Sequence, residues 1–119
     1  MIILDSNIFI YLANGTLDRK CIKDDVAYAS ISRIETLGYE HLPAGEQLLL
    51  RALLKVAAEL PLDNAIIDQA IELRQTKQMS LGDSIVAATA LTYGYTLWTA
   101  NTSDFKHIPN IKRHNPLDR

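Results

Sequence analysis

The sequence predicts an α/β fold, a three-layer α/β/α sandwich with a central, mostly parallel sheet. Short apolar runs alternate with segments of helical periodicity along the chain, which is the pattern of βα units. The first run, Ile2 to Leu4, is continuous and suits a strand buried on both faces of a parallel sheet. The 119 residues suffice for one compact domain and are too few for two, so we expect a single domain over 1–119.

Turn and cap residues divide the chain into elements. The predicted strands are Ile2–Leu4, Val26–Ile31, Thr96–Thr99 and an edge strand over Ile111–His114. Five helices are predicted. The first lies between Asp5 and the stop signal Asn14-Gly15, and the second and third are Ser32–His41 and Pro43–Glu59. The fourth begins after its cap Asp63 and ends at a polar break over 74–79, and the fifth is Asp83–Tyr93. The segment 16–25 is expected to be a loop with one short turn, and 60–62 a short extended link.

Local signals justify the helices in turn. Two Ser-x-x-acid spacings, at Ser32 and at Ser80, indicate capping boxes. The Pro43–Glu59 helix has its predicted apolar face at Leu48, Leu49, Ala52, Leu53 and Val56. The next helix has its predicted face at Ile66, Ile67, Ala70, Ile71 and Leu73. The helix that ends at Gly94 is apolar on most sides, which predicts burial against the sheet.

Composition excludes several classes of protein. Apolar residues make up 48% of the chain, which argues against disorder, and the net charge of −2 provides no global basic field for nucleic acid. Cys21 is the sole cysteine, so no internal disulfide can form and a reducing compartment fits. No basic leader and no apolar run near the ~18 residues of a membrane span are present, so we expect a cytoplasmic protein.

Four acidic residues stand at element ends that parallel βα units would bring to one edge of the sheet: Asp5, Glu35, Asp83 and Asp104. Ligand crevices of open α/β sheets lie outside the carboxyl ends of the strands. Taken singly, each residue could be a helix cap or a turn residue, as we interpret Asp63 to be. Taken together, they favour a site over four unrelated caps.

A carboxylate cluster of this kind predicts a hard divalent cation. Packed carboxylates repel one another, which raises the cost of ionising all of them, and a cation would neutralise that charge. Mg²⁺ and Mn²⁺ prefer oxygen ligands and usually retain waters. The sequence has no His and Cys spacing typical of zinc. We therefore expect Mg²⁺ or Mn²⁺.

Four segments, in order and over nearly the whole chain, resemble the PIN-domain family, and within it the VapC-type toxins of toxin–antitoxin pairs. They are LDSN at Leu4–Asn7, SRIE at Ser32–Glu35, GDSIVAATAL at Gly82–Leu91 and TANTSDF at Thr99–Phe105. The resemblance implies a small α/β/α sandwich with a parallel sheet. It also implies a Mg²⁺- or Mn²⁺-dependent endoribonuclease whose metal is held by acidic residues.

The resemblance also implies roles for individual residues. The catalytic set is Asp5, Glu35, Asp83 and Asp104, of which Asp5, Asp83 and Asp104 are expected to hold the metal. The supporting polar residues, expected to orient the carboxylates through hydrogen bonds, are Ser6, Asn7, Thr99 and Asn101. Apart from the resemblance, the candidate rim cations for the RNA backbone are Arg33, Lys106, Lys112 and Arg113, and for each of them taken singly ordinary solvated charge is the favoured interpretation.

The expected reaction is metal-assisted hydrolysis of an RNA phosphodiester. By the same resemblance, an antitoxin would cover the cleft with its C-terminal segment, and the chain would form a homodimer to which the Leu48–Val56 helix contributes. Core packing is the alternative role of that helix.

Two other functions remain open at this point. A phosphatase of the haloacid dehalogenase type also begins with a strand that ends in Asp, but it requires a second acid where this chain has Asn7. A PIN-like domain that has lost catalysis and acts through protein contacts is the alternative from another class. The complete set of four acids argues against that second alternative.

Overall fold

The computed structural model describes residues 1–118 and contains a five-stranded sheet between helical layers. The strands are β1 (Ile2–Leu4), β2 (Val26–Ala29), β3 (Ala58–Leu60), β4 (Thr96–Trp98) and β5 (Arg113–His114). The helices are α1 (Ser6–Ala13), α2 (Ile31–Leu37), α3 (Ala44–Val56), α4 (Asn64–Thr76) and α5 (Leu81–Tyr93). Short 3₁₀ turns occupy Arg19–Cys21 and Thr102–Phe105. The strand order is β3-β2-β1-β4-β5 and every pairing is parallel, which confirms the predicted fold class.

The first strand lies at the centre of the sheet. Ile2 pairs with Val26 of β2 on one side and with Thr96 of β4 on the other. The chain therefore leaves β1 toward one edge and later returns to its other side, which makes the carboxyl end of β1 a topological switch point. Asp5, the residue after β1, stands at that point.

Alternate side chains of the strands pack against two different helical layers. Ile3 belongs to the core beneath α4 and α5, whereas Ile2 and Leu4 belong to the core beneath α1 and α3. Helix α2 lies across the carboxyl edge of the sheet, because Ile31 packs against the first core and Leu37 against the second. This position brings α2 next to the end of β1.

Helix α5 is the most buried helix, as predicted. All its residues from Ser84 to Ala90 are buried, and Gly94 ends it in the left-handed conformation with φ 69°. The predicted cap is confirmed, since Ser80 Oγ accepts a hydrogen bond from Asp83 N at 3.1 Å. The helix begins at Leu81, so Asp83 lies in its first turn rather than at its start.

The edge strand β3 is absent from the sequence prediction, which continued a helix to Glu59. Helix α3 ends at Val56, and Ala58–Leu60 pairs with β2. Only Leu60 of the three residues is buried, so the strand has no apolar pattern of its own. Its existence depends on the open edge of β2, which local spacing does not reveal.

The predicted capping box at Ser32 is also wrong. The second strand ends at Ala29, and α2 begins at Ile31 and ends at Leu37, short of His41. Ser32 is fully buried within the first turn of the helix and does not cap it. Its spacing to Glu35 instead reflects a shared partner, described below.

The apolar faces of two helices differ from the prediction. In α3 the core residues are Leu50 and Leu54, whereas Leu48 and Val56 are 72% and 86% exposed. Apolar residues fill more than one stripe of this helix, so their spacing fits two faces. Helix α4 continues to Thr76, and it exposes Ile67 and Ile71 while burying Ile66, Ala70 and Leu73. Nowhere in residues 1–118 is a helix both long and apolar enough to cross a bilayer.

Candidate active site

The buried carboxylate of Asp5 is the centre of the site. The side chain is 6% exposed and lies between the end of β1 and the start of α1, whose N-cap it forms. Its Oδ1 accepts from Ser6 N at 2.8 Å, and its Oδ2 accepts from Thr99 Oγ1 at 2.9 Å. Both oxygens are therefore fixed, and Asp5 is a cap and a candidate site residue at once.

A chain of hydrogen bonds holds Thr99 in the orientation that Asp5 requires. Thr99 is fully buried, and its hydroxyl accepts from Asn101 N at 3.1 Å and from Asn7 Nδ2 at 3.4 Å. Asn7 Oδ1 in turn accepts from Ala100 N at 3.1 Å. The hydroxyl hydrogen of Thr99 is thus left for Asp5 alone, and the loop after β4 is tied to α1.

The second carboxylate, Glu35, is anchored to the loop after β1. Ser6 Oγ donates to Glu35 Oε1 at 2.7 Å and lies 3.1 Å from Ser32 Oγ. Ser32 and Glu35 therefore share Ser6 as a partner across the junction of α1 and α2. The anchor turns Glu35, which is otherwise exposed, toward Asp5.

The remaining two acids, Asp83 and Asp104, face each other across a pocket of about 300 Å³. Asp83 is half-buried in the first turn of α5, and Asp104 is exposed in the 3₁₀ turn after β4. Lys77 and His107 also line this pocket. The structure thus brings all four acids to the carboxyl edge of the sheet, with Asp5 deepest.

Burial and mutual repulsion act on two of these carboxyl groups. Burial, with a smaller contribution from the charges of Asp83 and Glu35, raises the pKa of Asp5 to about 6 against the lowering effect of the hydrogen bonds from Thr99 and Ser6. Burial also raises the pKa of Asp83, and the charges of Asp104 and Glu35 add to that effect. The four side chains therefore form one electrostatic cluster.

The donor set suits a cation that completes its shell with water. No three His, Cys, Asp or Glu side chains within residues 1–118 lie close enough to hold a metal ion unaided. Mg²⁺ typically takes one or two carboxylates and keeps several waters, so it does not require such a cage. Burial and, to a smaller extent, the neighbouring carboxylates raise the pKa of Asp5 and Asp83, and a bound cation would offset the cost of ionising both groups.

Two residues of the pocket escaped the sequence analysis. Both ring nitrogens of His107 are buried and lack a hydrogen-bond partner among residues 1–118. Lys77 lies at the end of α4, within the predicted polar break. A signal for His107 existed in its spacing, because it follows Asp104 by one turn. The place of Lys77 in this pocket depends on the packing of α4 against α5, which the sequence does not reveal.

The predicted rim cations are dispersed. Arg33 is held by Glu59, with Nε–Oε1 at 3.0 Å and Nη2–Oε2 at 3.1 Å. Lys106 is exposed at the end of the 3₁₀ turn that carries Asp104. Arg113 lies on the edge strand β5, and Lys112 lines a separate pocket beside Gly94, toward the amino ends of the strands. The structure does not bring these four side chains together.

Gly82 offers a way to move Glu35 without replacing it. A Cβ at Gly82 would lie 2.6 Å from Glu35 Oε2, so Gly82→Ala displaces this flexible carboxylate from Ser6. Alanine favours the helix, so we expect stability to change by less than about 1 kcal/mol while activity of the site falls about tenfold or more.

Gly45→Ala in α3 is the matched control, because nothing lies within 4 Å of its added Cβ. Urea unfolding measures the first effect, and cleavage of RNA, the activity that the family resemblance implies, measures the second. Equal activity of the two alanine variants would show that the position of Glu35 does not matter.

Comparisons with known proteins agree with this geometry. The profile of the PIN domain family matches residues 2–111. A ribonuclease VapC from Rickettsia bellii is 45% identical over 47 residues, which are 40% of this chain. The match spans only 34% of that ribonuclease.

Solved structures match over the full length. A toxin–antitoxin complex from Klebsiella pneumoniae contains a chain that is 25% identical, with a TM-score of 0.81 and 100% coverage of both chains. VapBC2 from Rickettsia felis, solved with a DNA fragment from its promoter, is 24% identical, with a TM-score of 0.80 and coverage of 97% and 98%. The first supports the same fold over every element described above, and the second supports the fold alone. Because the family profile also spans all four acids, this chain belongs to the PIN domain family.

Proposed function

We propose that this chain is a metal-dependent endoribonuclease and the toxin of a toxin–antitoxin pair. The observation that carries the proposal is the cluster of Asp5, Glu35, Asp83 and Asp104 around the carboxyl end of the central strand. Separate helix caps do not explain this cluster, because four unrelated caps have no reason to meet at one edge of the sheet, where their charges help to raise the pKa of Asp5 and Asp83. The name of the Rickettsia bellii relative, a ribonuclease, supports the same activity.

The proposed role of each site residue follows from its surroundings. Asp5, Asp83 and Asp104 would hold Mg²⁺ or Mn²⁺ in part through bridging waters, since the three carboxylates form no closed cage within residues 1–118. The ion would supply a Lewis acid for hydrolysis of a phosphodiester. Thr99 and Ser6 hold both oxygens of Asp5 in place, so the carboxylate needs no rearrangement on binding. Glu35, fixed by Ser6, would position the water that attacks the phosphorus.

The function is tested by incubating total cellular RNA with the protein in Mg²⁺, Mn²⁺ or EDTA. We expect discrete fragments with either metal, none in EDTA, and none from Asp5→Asn. Cleavage that persists in EDTA would contradict metal dependence. A folded protein that neither cleaves RNA nor binds metal would instead be the inactive protein-binding module.

Metal binding has an effect on stability that needs no substrate. A ligand that binds only the folded state at 100 times its dissociation constant stabilises it by about 2.7 kcal/mol. We therefore expect Mg²⁺ to raise the Tm of the wild type and to leave Asp5→Asn nearly unchanged, as differential scanning fluorimetry would measure. Asp63→Asn, a cap on α4 outside the site, should respond like the wild type. Equal shifts in all three proteins would remove Asp5 from the metal site.

A protein partner of the antitoxin class fits the surface beside the site. Next to Glu35 on α2, Ile34 is 73% exposed. It lines an open apolar groove of about 540 Å³ together with Ile31, Leu37, Leu62 and Ile85. An apolar antitoxin segment in this groove would lie against the carboxylates and block access to them. A homodimer through α3 stays a prediction, and the exposed side chains of Leu48 and Val56 suit it.

A further inference from the structure

The flank of the sheet beside β3 carries a pocket of about 220 Å³ that the site described above does not use. Three cationic side chains line it, Arg33 from α2 and Arg51 and Lys55 from α3. Leu37 and Leu54 form its apolar wall, and Tyr28 completes it. We propose that this pocket, named here the flank pocket, binds backbone phosphates of the RNA substrate, which rests on the proposed ribonuclease function.

The polar partners of the flank pocket are arranged around one carboxylate. Glu59 accepts from Tyr28 Oη at 2.9 Å, from Ser30 Oγ at 2.7 Å and from both sides of the Arg33 guanidinium. These bonds, those of Ser30 and Tyr28 first, hold the pKa of Glu59 below its usual range, so the group is ionised. Glu59 fixes Arg33 in place, and its single charge is already shared among these donors.

The other two cations have no such counter-charge. Arg51 and Lys55 are exposed, stand one turn apart on α3, and form no ion pair within residues 1–118. Within the described part of the chain, the carboxylate at the flank pocket, Glu59, is bonded to Arg33 alone of the three cations, so Arg51 and Lys55 give the pocket excess positive charge on a chain whose net charge is −2. An anion is the ligand that such a pocket attracts.

The flank pocket and the carboxylate cluster both include residues of helix α2. Helix α2 supplies Glu35 to the carboxylate cluster and, two residues earlier, Arg33 to the flank pocket. A nucleic acid strand that crosses α2 would therefore meet the cluster with one phosphate and the cations with neighbouring phosphates. Lysine and arginine contacts to phosphate position a strand without reading its sequence. The flank pocket would thus strengthen binding without selecting the cleavage site.

The test measures binding of fluorescein-labelled oligouridylate to Asp5→Asn, which does not cleave, over a range of salt concentrations. For single strands, the logarithm of affinity falls with the logarithm of salt by about 0.7 per phosphate neutralised. Adding Arg51→Gln and Lys55→Gln should reduce this slope by about 1.4, and the affinity about 25-fold at 0.1 M salt. In the active background, KM should rise while the fragment pattern and kcat stay the same.

The matched control adds Arg19→Gln and Lys20→Gln to the same background. Both residues are exposed, and they lie in the 3₁₀ turn that precedes β2, outside the flank pocket. This pair removes the same charge but lies outside the flank pocket. The slope of affinity against salt concentration should therefore stay within experimental error of the slope for Asp5→Asn alone. Equal loss in both pairs, or no loss with the α3 pair, would overturn the assignment while leaving the nuclease proposal intact.

Two further outcomes separate the remaining possibilities. Polyglutamate, an acidic peptide, serves as a second probe of the Arg51→Gln and Lys55→Gln variant. If this variant loses polyglutamate binding but binds oligouridylate as its parent does, the assignment is overturned and the ligand is an acidic peptide. Failure of Asp5→Asn itself to bind oligouridylate at any salt concentration would contradict the proposed function, and the flank pocket assignment with it.

Discussion

Asp5→Asn is expected to raise the Tm of the metal-free protein at neutral pH and to abolish the proposed RNA cleavage. Burial and neighbouring charges move the pKa of Asp5 from 3.8 to about 6, so ionising it in the folded state costs about 3 kcal/mol. Asparagine removes this cost but loses one of the two accepted hydrogen bonds. The net gain should be about 1–2 kcal/mol, or a Tm about 4–8 °C higher.

The pH dependence of this gain identifies its cause. Because the folded-state pKa is raised, the favourable contribution of neutral Asp5 is full below pH 3.8 and is lost as the pH rises through about 6. The difference in unfolding free energy between Asp5→Asn and the wild type should therefore be smallest near pH 4, grow up to pH 6 and stay constant above it. Urea unfolding at several pH values in EDTA measures this difference.

Asp63→Asn provides the control for this series. Asp63 also caps a helix, since its Oδ1 accepts from Ile66 N at 2.9 Å, but it is exposed. Asparagine is an equally good cap, so its stability should differ little from the wild type at any pH. A stability difference for Asp5→Asn that does not vary with pH would show that the charge of Asp5 is not the cause.

Thr99→Val is expected to impair both stability and cleavage. The substitution keeps the shape of a fully buried side chain but removes the hydroxyl that donates to Asp5 and accepts from Asn101 N and Asn7 Nδ2. Unpaired buried groups cost about 1–3 kcal/mol. The pKa of Asp5 should rise further, since Thr99 opposes the effect of burial. Cleavage should fall about 10- to 100-fold, as for other groups that orient metal ligands.

The pH–rate profile separates this effect from a loss of stability alone. The acidic limb for Thr99→Val should move to higher pH, because Asp5 ionises later. Thr99→Ser retains the hydroxyl and loses only a methyl group, so it should be less stable than the wild type and yet keep the wild-type acidic limb. Identical profiles for the valine and serine variants would contradict the proposed contact with Asp5.

The elements that could be predicted from the sequence are those whose signals are local. The continuous run before Asp5, the cap at Ser80 and the left-handed Gly94 each contain their explanation within a few residues. Strand β3 was not predictable, because its three residues are stabilised by pairing with β2 rather than by their own pattern. The buried face of α3 was equally hidden, since its leucines fit two stripes and tertiary packing selects Leu50 and Leu54.

The same distinction between local and tertiary signals applies to the residues of the candidate site. The four acids were predictable because Asp5, Asp83 and Asp104 stand near element ends that parallel strands bring together, and Glu35 lies one turn into the helix that follows β2. The role of Ser32 was not, because its neighbour Ser6 lies 26 residues earlier in the chain. Lys77 was missed for a related reason, since the pocket that it lines exists only once α4, α5 and the loop after β4 are assembled.

The central position of β1 also determines when the site can exist during synthesis. Asp5 is made long before its partner, because the hydroxyl that orients it belongs to a residue 94 positions later. One edge of β1 can pair with β2 early, whereas its other edge waits for β4. A growing chain therefore holds Asp5 without its hydrogen-bond partner until translation has passed Thr99. An enzyme proposed to destroy RNA is thus assembled only after its own message has been read beyond the codon for Asp104.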